Sequence, residues 1–386
     1  MAAMQAETAM IPPAEREPEF VTTVEEERIA VATQWQLMWW RFRKHGLAMA
    51  GSLVLILFYL VAVGAPFLAY ADPEVSDAQL SLMVPQPIRW LDEGQFRPHV
   101  YAIKGTRDPT TFKRVYVPDP ETKLSVRFFT PGFEYRWLGL IRTNLHLIGV
   151  EGAEAETTLF ILGTDMQGRD IWSRLMYGTQ TSLTIGLISV ALSLLLGVLL
   201  GGISGFYGGT VDTIIQRVVE ILRSVPTIPL WMGLTAALPA SWSVGQVYFA
   251  ITVIISLVGW TELARVVRGR FLSLREEDFV MAARLAGCSQ MRIIFRHMVP
   301  SFLSHIIAAT TLALPAMIIS ETSLSFLGLG LRPPAISWGV LLQDAQNVQA
   351  LAISPWLLLP VLPVIVAVLA FNFAGDGLRD AADPYG

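Results

Sequence analysis

The sequence is short of charge and of cysteine, and both shortages exclude classes of protein. Charged residues make up 16% of the 386 residues and hydrophobic residues 53%, whereas a soluble domain carries about a quarter charged residues. This balance argues against a disordered chain and against an ordinary soluble enzyme. With Cys288 as the single cysteine, an intramolecular disulfide and a cysteine-based zinc site are excluded.

Recognisable catalytic, metal and nucleotide motifs are missing as well. The five histidines are scattered without the HExxH spacing of a zinc site, so no metal is expected. A formal net charge of −4 gives no basic excess for binding nucleic acid. The glycine-rich segment 201–210 has no lysine and no Walker A pattern occurs elsewhere, so this chain is expected to lack an ATP site of its own.

Six apolar runs predict an all-α integral membrane protein. About 20 apolar residues cross the hydrocarbon core of a bilayer. The first run, Leu47–Tyr70, follows an aromatic and basic cluster, Trp39–Lys44, which marks the cytoplasmic end of a span. The other five runs are Ser182–Phe206, Val218–Leu238, Gln246–Trp260, Ile306–Leu329 and Trp356–Phe373. Arginines crowd the loop between the fourth and fifth runs, so the positive-inside rule places both termini in the cytoplasm.

These runs divide the chain into segments of different character. They are an acidic cytoplasmic tail expected to be disordered (1–36), a first transmembrane helix with its basic flank (37–70), an extracytoplasmic insert (71–156), an interfacial segment (157–181), a core of five transmembrane helices (182–376) and a cytoplasmic tail (377–386). The insert contains short β-like pieces at Lys113–Val117 and Leu124–Phe129. No stretch of the insert is apolar enough to span a membrane.

Small and acidic residues in the apolar runs are candidates for packing or for a pathway. Gly197, Gly201 and Gly205 repeat every four residues, which favours close packing of one spanning helix against another. Glu321 lies in the fifth run without a basic neighbour in sequence. A charge inside a membrane usually faces the bundle interior. Glu321 is therefore part of a gate or pathway, or it is a packed structural carboxyl or one at the outer interface.

A charged motif precedes the second run. Asp165, Arg169 and Asp170 alternate in sign around Gly168. At these spacings the charges are expected to cap and pin a short interfacial helix. A gating role is the alternative.

The arginine-rich loop 264–304 contains the most informative motif. Ala282 and Ala283 precede Gly287, which permits a break between two short helices, and Met291 lies on the apolar face of the second. Such a helical elbow fits the groove of a partner. The alternative is a solvated basic loop needed only for topology, and the residue pattern alone leaves both open.

The spacing Ala-Ala-x₃-Gly-x₁₂-Pro, which ends at Pro300, resembles the EAA loop of importer-type ABC transporter permeases. Met281 stands where that family usually has glutamate. Four further blocks resemble the C-type subunit of the dipeptide and oligopeptide permeases: Leu162–Arg174, Tyr177–Leu183, Ser323–Gly330 and Gly377–Pro384. The resemblance implies the six-helix fold of the MetI type, with the insert as an addition after the first helix.

The resemblance also implies a set of partners and a location. These are a homologous second permease subunit, two ATPase subunits that carry ATP and Mg²⁺ and dock on loop 264–304, an extracytoplasmic solute-binding protein, and the bilayer of the bacterial inner membrane. The chain itself would hold no cofactor and catalyse no reaction. Peptides are the expected cargo, with oligosaccharides, opines or nickel as alternatives.

Three other classes of protein remain as rivals, one of which is a non-transporting signalling or scaffold subunit. An intramembrane enzyme needs a nucleophile–base pair or a metal constellation, and no such pattern is recognisable. An ion-coupled secondary transporter needs acidic residues at mid-membrane depth, for which Glu321 alone is thin support.

Overall fold

The computed structural model describes residues 32–107, 109, 114–150 and 159–382, which form a helical bundle with one antiparallel sheet attached. In chain order the helices are α1 (Gln34–Lys44), α2 (Gly46–Val63), α3 (Ala65–Leu68), α4 (Ile171–Tyr207), α5 (Gly209–Ser224), α6 (Thr227–Ala236), α7 (Val244–Leu274), α8 (Asp278–Leu285), α9 (Gln290–Arg292), α10 (Val299–Ser301), α11 (Leu303–Phe326), α12 (Trp338–Leu342), α13 (Val348–Ile353) and α14 (Val361–Ala382). Most of the expected acidic tail, residues 1–31, and the last four residues lie outside the described residues.

Five helical segments among the described residues are long and apolar enough to cross a membrane. They are α2, α4, α7, α11 and the segment Pro355–Ala382, which contains α14. Large apolar side chains on these helices point outwards; Leu53 on α2, for example, is 69% exposed. A bilayer is the solvent that such a surface requires.

The third predicted span differs from the expectation. The run Val218–Leu238 is divided between α5 and α6, which are separated by Val225 and Pro226. Pro226 has no N–H to donate to a helix, and the residue before a proline is disfavoured in the α-helical region. Val225 accordingly has an extended conformation, with φ −89° and ψ 131°.

The second span begins earlier than expected. A short separate interfacial helix was expected ahead of this span, within the segment 157–181, but α4 runs without interruption from Ile171. Asp170 sets this start, because its carboxylate accepts a hydrogen bond from the backbone N–H of Ser173 at 2.7 Å. The resulting helix of 37 residues contains no proline.

The predicted insert contains a sheet, so the chain is not helical throughout. Its strands are β1 (Arg89–Asp92), β2 (Gln95–Arg107), β3 (Arg114–Trp137) and β4 (Ile141–Val150), antiparallel in the order β1-β2-β3-β4. Both β-like pieces fall at β3, although Lys113 itself lies outside the described residues. β-branched and aromatic residues there favour a pleated surface over a helix.

The core of the bundle lies between α2, α4, α7, α11 and α14. It is formed by apolar side chains that are almost fully buried, among them Leu183, Ile255, Ile318 and Phe371. A second apolar cluster, around Phe271, joins the ends of α4 and α7 to the elbow that follows α7. This second cluster places the elbow at one end of the bundle.

Candidate functional site

The elbow follows directly from the end of α7. The first part of the predicted loop 264–304 belongs to α7, which continues to Leu274, and the elbow occupies the remainder. It consists of α8, a turn at Gly287, α9, a π-helical turn over Ile293–Met298, and α10. This is the helix–turn–helix arrangement that the Ala-Ala-x₃-Gly spacing predicts.

Gly287 makes the turn of the elbow. Its φ is +74°, a left-handed conformation that glycine adopts without the steric cost paid by other residues. The backbone N–H of Cys288 donates to the carbonyl of Ala283 at 3.1 Å, and that of Ala286 donates to the carbonyl of Ala282 at 2.9 Å. The small residues of the motif therefore end α8 and reverse the chain.

The inner face of the elbow is packed against the bundle. Ala283 and Val280 on α8 and Ile293 and Ile294 in the π-helical turn are buried in the cluster around Phe271. Burial of this face means that α8 and the π-helical turn move together with the ends of α4 and α7.

The outer face of the elbow is apolar and exposed. We call five of its side chains the docking patch: Phe279, Met281, Leu285, Met291 and Phe295, with Leu285 exposed to 88%. Ala282 and Pro300 are also exposed, as are three arginines, Arg284, Arg292 and Arg296. An apolar centre with a charged rim is the composition of a protein interface.

An ion pair behind the elbow was missed by the sequence analysis. Arg268 on α7 donates two hydrogen bonds of 2.5 Å to Asp212 on α5, and Ser204 on α4 donates to the same carboxylate. These hydrogen bonds join α4, α5 and α7 beside the elbow. Asp212 and Arg268 lie too far apart in the sequence for their pairing to be predicted from it.

The three predicted packing glycines lie where α4 crosses α7. A Cβ at Gly201 would come within 2.5 Å of the Ala264 carbonyl oxygen, and one at Gly205 within 2.8 Å of the Arg268 carbonyl oxygen. At Gly197 the nearest atom would be the Cβ of Leu263, at 2.9 Å. The two helix backbones are therefore in close contact over two turns.

The charged motif forms a compact turn ahead of α4. Asp165 accepts from the Arg169 Nε at 2.7 Å and lies 3.4 Å from the buried Arg174. Gly168 has a φ of +77°, and a Cβ there would meet the Asp77 carbonyl oxygen at 1.9 Å. This geometry favours the structural interpretation of the motif over a gating role.

Asp170 and Tyr70 form a buried pair at the head of α4. The Tyr70 hydroxyl donates to the Asp170 carboxylate at 2.8 Å and accepts from the backbone N–H of Ile161 at 3.0 Å. Burial raises the pKa of Asp170 from 3.8 to about 6, and it raises the pKa of Tyr70 well above 10. The pair fastens the segment after α3 to the start of α4.

Glu321 is fully buried between helices. Its carboxylate accepts from the Ser182 hydroxyl of α4 at 3.0 Å and from the Ser325 hydroxyl of α11 at 2.8 Å. Ser182 in turn accepts from the backbone N–H of Trp338 at 3.1 Å. The side chain links α4, α11 and α12, an arrangement that favours a packed carboxyl over an open gate.

Two family descriptions match the chain. Residues 197–385 match the family described as binding-protein-dependent transport system inner membrane component. Residues 33–85 match the N-terminal TM domain of oligopeptide transport permease C. The first match includes the elbow, and the second includes α2.

Curated relatives and solved structures add to these matches. The chain is 39% identical to the oligopeptide transport system permease protein OppC of Bacillus subtilis, over 58% of this chain and 70% of that protein. It is 40% identical to the dipeptide transport system permease protein DppC of Alkalihalophilus pseudofirmus, over 58% and 71%. An inward-facing structure of the MetNI methionine ABC transporter is similar at 21% identity and a TM-score of 0.42, over 55% of this chain and 97% of that chain.

Proposed function

Because the chain belongs to the family of binding-protein-dependent transport inner membrane components, and is related within it to OppC and DppC, we propose that it forms one half of the membrane pathway of an ATP-driven peptide importer. The second half is a homologous permease subunit. A solute-binding protein delivers peptide to the outer face, and the chain binds and releases no cofactor of its own. Oligosaccharides, opines or nickel are the alternative cargo.

The exposed docking patch is the observation that supports coupling to ATPase subunits. Leu285 is 88% exposed while the opposite face of the elbow is buried. In water this apolar surface is costly, and a groove on an ATPase subunit would cover it. Two such subunits, one for each permease, would bind ATP and Mg²⁺.

The mechanism is rigid-body motion rather than covalent chemistry. When the ATPase subunits close on ATP, they displace the docked elbow. Because its inner face is packed against α4 and α7, and Arg268 ties α7 to α5 through Asp212, the spanning helices tilt with the elbow. Access to the pathway then changes from one side of the membrane to the other.

The proposal includes the topology of the chain. The divided pair α5 and α6 is the third of six crossings, because its prolines are tolerated in a membrane when neighbouring helices satisfy the freed backbone groups. Both termini and the elbow face the cytoplasm of a bacterial inner membrane. The sheet lies on the outer side, in line with the exit of α2 at Val63.

Substitution of Leu285 tests the docking patch. We expect Leu285→Asp to weaken retention of the ATPase subunits about 30-fold, because loss of a central interface residue costs about 2 kcal/mol. The measurement is recovery of ATPase subunits with the affinity-tagged full chain, together with peptide uptake. Val348→Asp is the matched control, since Val348 is an apolar residue 77% exposed on α13, away from the elbow. Equal retention in both variants would place ATPase docking elsewhere.

A further inference from the structure

The turn that joins β3 to β4 is unusually apolar for the tip of a hairpin. It reads Trp137-Leu138-Gly139-Leu140-Ile141, and the strands pair up to Trp137 opposite Ile141. Leu138 is 60% exposed, Leu140 85% and Ile141 56%. Hairpin turns in water are normally built from polar residues, so these side chains indicate a non-aqueous environment.

The hairpin is fastened to the outer end of α2. The Trp137 indole N–H donates to the carbonyl of Val63, the last residue of α2, at 2.9 Å. Further from the turn, the His146 Nδ1 lies 3.1 Å from the carbonyl oxygen of Pro66 in α3. The part of the hairpin far from the turn therefore contacts α3, and the part next to the turn contacts the end of α2.

This attachment places the turn beside a lipid-facing surface. On the last turn of α2, Leu60 is 64% exposed and Val63 45% exposed. The two leucines of the hairpin turn extend that apolar surface sideways, at the level where α2 ends. A spanning helix of 18 residues is about 27 Å long, so its end lies near the boundary of the hydrocarbon core.

A pair of arginines lies directly behind the apolar turn. Arg136 and Arg142 are Cα partners across the two strands, and both are exposed. Like charges opposite one another destabilise a strand pair, and neither arginine forms an ion pair with a described residue. Lipid phosphates at the membrane surface would neutralise both guanidinium groups.

We propose that the turn Trp137–Ile141 inserts into the outer leaflet of the bilayer as a second membrane anchor beside α2. Leu138 and Leu140 lie among the upper acyl chains, and the Trp137 indole lies at the interface, where tryptophan is enriched in membrane proteins. Arg136 and Arg142 bind the phosphates above them. The partner of this surface is phospholipid.

Fluorescence quenching in vesicles tests the proposal. The full chain carrying Cys288→Ser and Leu140→Cys is labelled with an environment-sensitive fluorophore and reconstituted in phosphatidylethanolamine and phosphatidylglycerol. Lipids with a doxyl group near the carbonyl end of the acyl chain should quench the label about twofold, because interfacial elements insert about 5–10 Å. Glu121→Cys is the control; Glu121 is an exposed residue of the same strand, remote from the turn, and its label should resist lipid quenching.

Two results would overturn the proposal. The first is a Leu140→Cys label that iodide quenches from water and doxyl lipids do not. The second is a label that lipids leave unquenched and that becomes shielded on addition of the binding protein or the second permease subunit, which would make the turn a protein-docking surface. A third vesicle sample with Arg136→Gln and Arg142→Gln should lose part of the lipid quenching, whereas unchanged quenching would contradict the role of the phosphates.

Discussion

Two buried acidic residues, Asp170 and Glu321, join segments that lie far apart in this chain. Asp170 caps α4 and accepts the Tyr70 hydroxyl, and Glu321 joins two serine hydroxyls. The contacts of Asp170 with Tyr70 and of Glu321 with Ser182 are not readable from the sequence, because these partners lie 100 and 139 positions away. The sequence pattern predicted that these side chains matter but left their roles open, and their burial argues for structure rather than gating.

The raised pKa of Asp170 predicts how stability depends on pH. The folded state holds the Asp170 proton more tightly than the unfolded state, so this group stabilises most below pH 3.8, and its contribution falls as the pH rises to about 6. A difference of about two pKa units corresponds to about 3 kcal/mol. We expect Asp170→Asn to remove this component from thermal unfolding in detergent between pH 4 and 6.

The control for this prediction is Glu74→Gln, which neutralises an exposed carboxyl of the neighbouring segment. Its unfolding temperature should follow that of the parent chain at each pH. If Asp170→Asn and Glu74→Gln show the same profile as the parent chain, the Asp170 carboxyl is not the titrating group.

At the scale of elements, apolar length was a good guide to the spans and a poor guide to their ends. Of the five spans predicted after the first one, four correspond to α4, α7, α11 and α14. These four were predictable because membrane crossing depends on local composition. The start of α4 was misplaced by eleven residues, since its first turns contain polar side chains such as Ser173 and Arg174 that tertiary contacts bury. The division between α5 and α6 was foreshadowed by Pro226, but its geometry depends on neighbouring helices.

The contact between α4 and α7 predicts different costs at two adjacent glycines. At Gly201 an added methyl would meet backbone atoms of Ala264 at 2.5 and 2.9 Å, which cannot move without separating the helices. At Gly202 it would meet the Phe271 ring at 3.3 Å, and a side chain can shift. We expect Gly201→Ala to cost about 1–3 kcal/mol of unfolding free energy and Gly202→Ala distinctly less.

The measurement is the midpoint of denaturant-induced unfolding of each variant in the same detergent. If Gly202→Ala proves as destabilising as Gly201→Ala, the close backbone contact is not what these glycines provide.

At the scale of the whole molecule, the family was predictable and the shape of the docking surface was not. The Ala-Ala, Gly and Pro skeleton identified the permease family, and the family matches confirm it. Exposure of Leu285 and the pairing of Asp212 with Arg268 follow from how α5, α7 and α8 pack, which no local pattern records. The sequence predicted short β-like pieces in the sheet. The attachment of the sheet to α2 through Trp137 could be seen only in the folded structure.

The proposed role as one half of an ATP-driven importer predicts that transport depends on separate ATPase subunits. Vesicles that contain this chain and its sister permease should accumulate no labelled peptide when binding protein and ATP are supplied without ATPase subunits. Addition of the ATPase subunits should start accumulation. Uptake that proceeds without them, driven by a proton or sodium gradient, would identify a secondary transporter instead.

The helix α4 is a continuous helix that is long enough to cross the membrane and extend beyond it. At 37 residues it is about 55 Å long, which exceeds the thickness of the hydrocarbon core. Asp170 at its start is hydrogen-bonded to Tyr70, and Ser204 near its end is hydrogen-bonded to Asp212. Under the proposed mechanism, a displacement of the Ser204 end of α4 by the ATPase subunits would therefore also displace the Asp170 end on the opposite side of the membrane. The same helix would transmit a displacement in the reverse direction, from a solute-binding protein at the outer face to the ATPase subunits at the inner face.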